Sequence, residues 1–305
     1  MNAPMRRRSF LAGLAALAGS SPVDAAARRL PRGAKRHKPA YSLAQLTALP
    51  YAPPDLLALA ARTGYQFAGV RVTEVTPGGP HWPLDKDKAL LRATKAAIAA
   101  TGVGVLDFEV FLLGPTTVVA DYEPVIAAGA ELGVKHLLTQ CPDPDRSRAI
   151  DHFAQMCDIA ARYGLTADLE FPSWMQVGDL GAAAEVVSKA GKANGGILID
   201  PLHLFRSGGS PAQVAALPRN DFNYMQMCDA PAAVPPTLEG LLYTAREARD
   251  APGQGELDLK GLMGAMPPGL VIALEIPNSE EVKIVGYEAH CLRVRQVMDQ
   301  FLGFA

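Results

Sequence analysis

The stretch that decides the fold is Gly195-Gly196-Ile197-Leu198-Ile199-Asp200-Pro201-Leu202-His203. Its apolar run, Ile197 to Ile199, ends in the carboxylate of Asp200, and the imidazole of His203 follows. A short continuous apolar run is typical of a strand that is buried on both faces, as in a parallel sheet. Parallel α/β proteins carry their chemistry at the carboxyl ends of the strands. The stretch therefore predicts an α/β fold with Asp200 and His203 at a functional site.

The same alternation of apolar runs and helical sequence extends over residues 41–305, and it reaches eight strands. A (β/α)8 TIM barrel needs about 250 residues, so the chain can form one such barrel as a single domain. A doubly wound open sheet is the alternative, but it normally has a glycine-rich turn after its first strand. No such turn is present there. The predicted strands are residues 42–46, 67–72, 105–110, 134–139, 166–170, 196–199, 224–227 and 271–274.

Helix signals separate these strands. Pro53 and Pro54 suit the first turn of a helix, and Asp85 is the predicted N-cap of the next one. Gly64, Gly133 and Gly164 are predicted to end helices, because glycine readily adopts the left-handed conformation found there. The predicted helices are residues 53–62, 85–100, 122–132, 143–163, 180–192, 211–217, 238–247, 257–266 and 281–301.

The composition is that of a soluble globular protein, with 49% apolar and 20% charged residues and a net charge of −2. Near-neutral charge, without a basic patch among the aromatic residues, excludes a nucleic-acid binder. No two of the four cysteines have CxxC spacing, which excludes zinc and redox motifs of that type. Buried free thiols are the preferred interpretation for them, with pairing open to an exported chain. The sequence is also compatible with a homo-oligomer.

The N-terminus is predicted to be a targeting segment rather than part of the fold. In residues 1–25, Arg6 to Arg8 form a positive region, Leu11 to Gly19 are apolar, and Val23-Asp24-Ala25 suits cleavage. The apolar part is too short for a permanent membrane span. Because Arg7-Arg8-Ser9-Phe10-Leu11 resembles the twin-arginine signal, we expect the Tat translocase as a partner and a periplasmic or exported protein. Residues 26–40 are predicted to be a basic flexible linker.

Acids and an amide end four consecutive predicted strands, namely Glu170, Asp200, Gln226 and Glu275. Three carboxylates at one barrel mouth repel one another, and buried charges are costly unless they are paired or bound to metal. A divalent cation is the simplest compensation, and oxygen ligands suit Mn²⁺, Mg²⁺, Co²⁺ or Zn²⁺. Two glutamates that flank a substrate could also act as acid and base. Glu109 ends the third strand and could contact substrate or form a buried ion pair.

The chain resembles the xylose isomerase-like TIM barrels, the sugar phosphate isomerase/epimerase superfamily. The order and spacing of several short motifs carry this resemblance, and together they cover roughly the C-terminal half. The motifs are Leu169-Glu170, Ile199-Asp200-Pro201-Leu202-His203, residues 226–231, Arg249 with residues 252–258, and residues 273–277.

The resemblance implies a divalent metal held by Glu170, Asp200, Gln226 and Glu275. It implies that Glu170 and Glu275 also move protons next to a carbonyl carbon. His203 would bind a substrate oxygen, and Arg249 would contact the substrate. Many relatives have histidine at the position of Gln226, although a branch of the family has glutamine there. An amide oxygen is uncharged and can ligate a hard cation, but more weakly.

The leading function hypothesis is a metal-dependent isomerase or epimerase that acts on a small sugar or keto-sugar. A lyase, such as a dehydratase that uses the same enolate chemistry, is the nearest alternative. A non-catalytic sugar-binding barrel is an alternative of a different class, and Gln226 favours it. Only Arg206-Ser207-Gly208-Gly209 hints at a phosphate-binding pocket. We expect an unphosphorylated sugar, because the protein is predicted to be exported.

Overall fold

A computed structural model describes residues 37–304. The predicted signal peptide, residues 1–25, and the predicted linker up to residue 36 lie outside the described residues. The last residues of the predicted linker contact the domain: Lys38 forms an ion pair with Asp299 at 2.7 Å, and the Ala40 carbonyl accepts a 3.0 Å hydrogen bond from Ile272. No helix in the part of the chain that is described has the length and apolar character needed to cross a membrane.

Eight strands and ten α-helices make up the described domain, with three short 3-10 helices between them. The strands are β1 (Tyr41–Leu43), β2 (Phe67–Arg71), β3 (Gly104–Leu112), β4 (His136–Gln140), β5 (Thr166–Glu170), β6 (Gly195–Ile197), β7 (Met225–Met227) and β8 (Ile272–Leu274). The helices are α1 (Pro53–Thr63), α2 (Lys88–Thr101), α3 (Glu123–Leu132), α4 (Arg146–Arg162), α5 (Leu180–Ala190), α6 (Pro201–Arg206), α7 (Pro211–Ala215), α8 (Leu238–Glu247), α9 (Leu259–Ala265) and α10 (Ser279–Leu302). The 3-10 helices are Gln45–Ala48, Val119–Tyr122 and Arg219–Asp221.

The strands form one parallel sheet in the order β6-β5-β4-β3-β2-β1-β8-β7. The two ends of this order meet where Ile199, just after β6, forms a parallel bridge with Met225 of β7. The backbone N–H of Gln226 donates a 3.0 Å hydrogen bond to the Ile199 carbonyl at the same place. The sheet therefore closes into the predicted TIM barrel, and among the described residues its β6–β7 seam is a single bridge.

Aspartate caps fix the starts of several helices, as the sequence pattern requires. The N-cap of α2 is Asp87, whose Oδ1 accepts hydrogen bonds from the amides of Ala89 and Leu90 at 3.1 and 2.9 Å. The predicted cap at Asp85 was therefore wrong, because the helix begins at Lys88 and only Asp87 reaches its free amides. The sequence analysis also missed α6, although Asp200 as N-cap and Pro201 in the first turn are a helix-start signal.

The two faces of each strand point to different parts of the core. On β5, Ala167 and Leu169 pack in the large apolar layer between the sheet and the helices. The alternating residues Asp168 and Glu170 face the barrel interior, because successive side chains of a strand point to opposite sides. A smaller apolar cluster, which includes Leu106, Leu138, Leu198 and Tyr224, fills the interior between these polar levels.

Gly196 in the opening stretch is required by this interior packing. A Cβ atom at this position would lie 2.6 Å from Asp168 Oδ1 and 2.5 Å from Asn223 Nδ2. Asn223 donates a 2.7 Å hydrogen bond to that same Asp168 oxygen, and Asp168 is fully buried. The glycine therefore leaves room for a hydrogen bond that satisfies a buried carboxylate. All four cysteines are free and buried, as the preferred interpretation of the sequence had it.

Candidate active site

The predicted site residues meet at the carboxyl end of the barrel. Glu170 is the last residue of β5, Gln226 lies in β7, and Asp200 and Glu275 follow β6 and β8. All four side chains are buried. Glu170 and Glu275 line a cavity of about 300 Å³, and His203 and Arg249 line it too. The carboxyl ends of the parallel strands thus bring together residues that are far apart in sequence.

Arg249 joins two of the predicted metal ligands. Its Nη1 lies 2.6 Å from Asp200 Oδ2, and its Nη2 lies 3.0 Å from Glu275 Oε2. Its Nε donates a 2.7 Å hydrogen bond to the Ala245 carbonyl, which fixes the guanidinium within α8 and the following loop. The side chain is only 2% exposed. Substrate contact by Arg249 stays a prediction, whereas its ion pairs with Asp200 and Glu275 are direct.

The carboxyl groups of the site differ in their affinity for protons. Burial, and then the charges of Glu275 and Asp200, raise the pKa of Glu170 well above its usual value. Burial likewise raises the pKa of Glu275 to about 8, although Arg249 opposes the shift. Burial alone would raise the pKa of Asp200, but Arg249 and further contacts lower it overall. The Arg249 guanidinium thus lowers the pKa of Asp200, whereas burial outweighs it at Glu170 and Glu275 and raises the pKa of both.

His203 contacts the same acids as a neutral ring. Its Nε2 lies 3.7 Å from Glu170 Oε1 and 3.8 Å from Asp200 Oδ2, and burial lowers its pKa to about 4. At neutral pH these contacts are therefore not ion pairs. The ring packs edge-on against Trp174 at 5.0 Å, and its Nδ1 is buried without a hydrogen-bond partner. A neutral imidazole beside two carboxylates can bind a substrate oxygen or a cation.

The residues present fit a divalent cation. Ligand atoms of Glu170, Asp200 and His203 all lie within 4.8 Å of one another. The Gln226 side-chain oxygen is buried without a hydrogen-bond partner, as is expected of a group that waits for a ligand. Carboxylate, amide and imidazole donors suit the hard and borderline cations predicted from the sequence. The structure thus adds His203 as a candidate ligand beside the four predicted ones.

Glu109 forms the buried ion pair that the sequence analysis gave as an alternative to substrate contact. Its Oε1 accepts hydrogen bonds from Arg71 Nη2 at 2.7 Å and from Arg71 Nε at 3.1 Å. Glu109 is not among the residues that line the cavity, but Arg71 is.

Several residues that line the cavity were missed as site residues in the sequence analysis, among them Arg71, Gln140, Trp174, Arg246 and Glu247. Gln140 ends β4 and donates a hydrogen bond to Glu170 Oε2, and Arg71 ends β2. The search for polar residues at strand ends, which identified Glu170, would also have identified Gln140 and Arg71. Trp174 lies in the loop after a strand, and Arg246 lies within a helix. No equivalent sequence signal marks either residue.

Comparisons with known proteins agree with this fold. The family described as xylose isomerase-like TIM barrel matches residues 57–294. Among solved structures, the IolI protein with a zinc atom covers 86% of this chain and 97% of its own, with a TM-score of 0.71 and 18% identity. D-psicose 3-epimerase in the presence of D-fructose covers 87% and 99%, with a TM-score of 0.64 and 12% identity. At these identities the structures show the fold alone.

One group of relatives is closer in sequence. The 3-dehydroshikimate dehydratase of Pseudomonas aeruginosa is 32% identical over 148 residues. That match covers 48% of this chain and 22% of the relative. The dehydratase of Pseudomonas putida is 27% identical over 146 residues, with the same coverage. The chain thus matches less than a quarter of the length of these relatives.

Proposed function

This chain belongs to the xylose isomerase-like TIM barrel family, and we propose that it is a metal-dependent enzyme that transfers protons at a carbon next to a carbonyl group. The family is enzymatic, with epimerase and dehydratase members. One observation carries the proposal: Glu170 and Glu275 line one cavity, and the pKa of each carboxyl group is raised. Carboxyl groups of this kind suit acid–base catalysis near neutral pH.

Glu170, Asp200, Gln226 and Glu275 would hold the divalent ion, with His203 as an additional candidate. A bound divalent ion supplies positive charge that stabilises negative charge on a substrate oxygen. Arg249 holds Asp200 and Glu275 in place through contacts of 2.6 and 3.0 Å with their carboxyl oxygens. His203, as a neutral ring, is suited to orient a substrate oxygen beside Glu170.

The two glutamates divide the proton transfers. One glutamate takes the proton from the carbon next to the carbonyl group, and the electron pair of that C–H bond moves toward the carbonyl oxygen. The other glutamate then returns a proton to the opposite face of the same carbon, or to the former carbonyl carbon. In the second case the hydroxyl proton on the alpha carbon moves to the former carbonyl oxygen, so that the carbonyl group changes position. The result is an epimer in the first case and an aldose–ketose isomer in the second.

A sugar or keto-sugar isomerase or epimerase is the first candidate. We expect the metal-loaded protein to exchange the alpha hydrogen of its substrate with deuterated water, measured by proton NMR over a panel of keto-sugars and keto acids. Glu170→Gln should reduce this exchange at least a hundredfold, whereas Glu131→Gln, at an exposed position of α3, should leave it unchanged. The proposal fails if no compound in the panel exchanges, or if Glu170→Gln exchanges at the parent rate.

A dehydratase is the second candidate, because the curated relatives are dehydratases and the cavity walls are largely apolar. In this reaction one glutamate takes the alpha proton, the other glutamate gives a proton to the hydroxyl group on the neighbouring carbon, that group leaves as water, and a carbon–carbon double bond forms. Accumulation of an unsaturated product, followed by its ultraviolet absorbance, would select the dehydratase. Exchange without net loss of water would select the isomerase or epimerase.

We also propose export through the twin-arginine pathway, with the small-molecule substrate met outside the cytoplasm. The support is the sequence Arg7-Arg8-Ser9-Phe10-Leu11 and the apolar segment after it. Replacing both Arg7 and Arg8 with lysine should keep the protein in the cytoplasmic fraction. Unchanged export of this variant would contradict the proposal. Gel filtration of the mature protein would test whether it forms the homo-oligomer that the sequence allows.

A further inference from the structure

The backbone that carries Glu275 is held from two sides by buried side chains. The backbone N–H of Ile276 donates a 2.9 Å hydrogen bond to Thr47 Oγ1. This hydroxyl group in turn donates a 3.0 Å hydrogen bond to the Leu274 carbonyl. On the other side, the Ile276 carbonyl lies 2.8 Å from His290 Nε2. Because Glu275 lies between Leu274 and Ile276, these hydrogen bonds fix the direction in which its side chain leaves the strand.

The ring of His290 contributes its hydrogen bond from a completely buried position in α10. A carbonyl oxygen only accepts hydrogen bonds, so Nε2 carries the proton and donates it to Ile276. Nδ1, on the other side of the ring, lies 3.1 Å from Glu281 Oε2. The imidazole therefore joins α10 to the loop after β8 through one directed donor.

Glu281 anchors this ring at the start of α10. Its backbone N–H donates a 3.0 Å hydrogen bond to the side chain of Asn278, and Arg293 donates hydrogen bonds to both of its carboxyl oxygens. Arg293 also donates a 3.1 Å hydrogen bond to Gln254 in the loop between α8 and α9. Burial alone would raise the pKa of Glu281, but Arg293 and further contacts lower it overall. The ring of His290 thus packs against an ionised carboxylate that is itself fixed.

His290 and Ile276 are not among the residues that line the cavity, whereas Glu275 is. Any effect of His290 on the chemistry therefore passes through the position of Glu275. Arg249 orients this carboxyl group, with Nη2 at 3.0 Å from Oε2 and Nη1 donating a 3.3 Å hydrogen bond to the Glu275 carbonyl. A displacement of a reacting group by about 1 Å can cost roughly a hundredfold in rate. The backbone at Ile276 is therefore a place where a small shift affects proton transfer.

We propose that His290 is a positioning residue for Glu275. Its Nε2–H holds the Ile276 carbonyl and thereby keeps the Glu275 carboxyl group where it can bind a divalent ion and exchange a proton with the substrate. The role of Glu275 in this inference rests on the proposed function. A side chain that only filled the space beneath the loop would act through its volume, whereas a positioning residue acts through its donor.

The test compares two amide side chains at position 290. Glutamine places its amide nitrogen close to the position of Nε2, and asparagine places its nitrogen close to the position of Nδ1. We expect His290→Asn to weaken Mn²⁺ or Zn²⁺ binding by roughly tenfold to a hundredfold, measured by competition with a chromophoric chelator. It should also lower kcat of alpha-hydrogen exchange with a smaller change in KM. His290→Gln should remain close to the parent in both measurements.

Crystal structures of the two metal-free variants give a measurement that does not depend on activity. The distance between Arg249 Nη2 and Glu275 Oε2, 3.0 Å in the parent, should be kept in His290→Gln and lie beyond hydrogen-bonding range in His290→Asn. If His290→Asn does not fold, His290→Gln and Thr47→Val decide. Thr47→Val removes the hydroxyl group on the other side of the same peptide, so it should weaken metal binding as well.

Equal behaviour of the two position-290 variants would overturn the inference, because only side-chain volume would then matter. An unchanged distance between Arg249 and Glu275 in His290→Asn, or parent-like metal binding in Thr47→Val, would overturn it too. Failure of the proposed function looks different: the parent then binds no divalent ion and exchanges no alpha hydrogen, while the crystal structures still report on His290. Conversely, parent-like exchange in both position-290 variants would overturn only the inference.

Discussion

The guanidinium of Arg249 lies 2.6 Å from the carboxylate of Asp200, and both side chains are almost completely buried. Asp200, a predicted ligand of a divalent cation, is thus already paired with a cation of the protein itself. A buried carboxylate is costly without a partner, so the ion pair is part of what keeps Asp200 ionised.

Replacing Arg249 with methionine should destabilise the metal-free protein by about 3–5 kcal/mol, because Asp200 would remain as a buried charge without its partner. Urea unfolding in the presence of a chelator measures the loss. The double variant Asp200→Asn, Arg249→Met should recover part of it, since the unpaired charge is gone. A loss below about 1 kcal/mol in the single variant would contradict the role given to this ion pair.

Gln226→Leu should separate folding from metal binding. The Gln226 oxygen is buried without a hydrogen-bond partner, so its removal should leave the metal-free protein as stable as the parent or more stable. The metal-loaded variant should lose most of the stabilisation that a bound ion gives. Thermal unfolding with and without added Mn²⁺ or Zn²⁺ measures both effects. If the metal-dependent rise in Tm is the same in parent and variant, Gln226 is not a ligand.

Gln226→His tests the same position in the opposite direction. An imidazole nitrogen is a stronger ligand for Zn²⁺ than a neutral amide oxygen. We expect tighter zinc binding, by roughly tenfold or more, measured by competition with a chromophoric chelator. Weaker zinc binding in this variant would argue that the side chain at this position does not reach the ion.

The metal-free protein should lose stability as the pH rises. Burial raises the pKa of Glu275 from its usual value near 4.5 to about 8, so the folded state binds this proton more tightly than the unfolded state. The resulting stabilisation is complete below about pH 4.5 and is lost as the pH rises through about 8. Chemical unfolding at several pH values between 5 and 9, with Glu275→Gln as the control, should show a smaller pH slope in the variant. Equal slopes would contradict the shift.

Gly196→Ala should destabilise the barrel by about 1–3 kcal/mol, because the added methyl group overlaps the Asn223–Asp168 hydrogen bond. Gly264→Ala is the matched control. It lies in α9 with no atom within 4 Å of the new Cβ, so alanine should stabilise the helix by up to about 1 kcal/mol. Urea unfolding compares the two variants. Equal effects would mean that the interior packing around Gly196 tolerates a side chain.

Local pattern predicted the strands and the strand-end acids because both depend on short stretches of sequence. Glu170 and Glu275 each follow an apolar run, and the parallel fold brings such ends together without further information. The helix predicted at residues 238–247 agrees with α8 for the same reason. The starts of other helices shifted by a few residues, as with Asp87, because several polar residues there compete for the cap position.

Pairing across the barrel could not be read in this way. The contact of Arg249 with Asp200 joins a loop residue to a strand end, and nothing in either local sequence specifies it. The separation of Arg71 from Arg246 into a paired and an unpaired cation also depends on the closed fold, because only the parallel register of β2 and β3 brings Glu109 to Arg71. These contacts therefore set which charged side chains at the cavity are paired.

The single bridge between Ile199 and Met225 has a consequence for the stability of the closed barrel. Asp200 follows Ile199 and Gln226 follows Met225, so these two residues lie on opposite sides of the β6–β7 contact. A ligand that contacts both Asp200 and Gln226 therefore links β6 to β7. Thermodynamic linkage then requires that closing the β6–β7 contact raises the ligand affinity by the same factor as ligand binding favours the closed contact. Amide hydrogen exchange at Gln226 would report on both events at once.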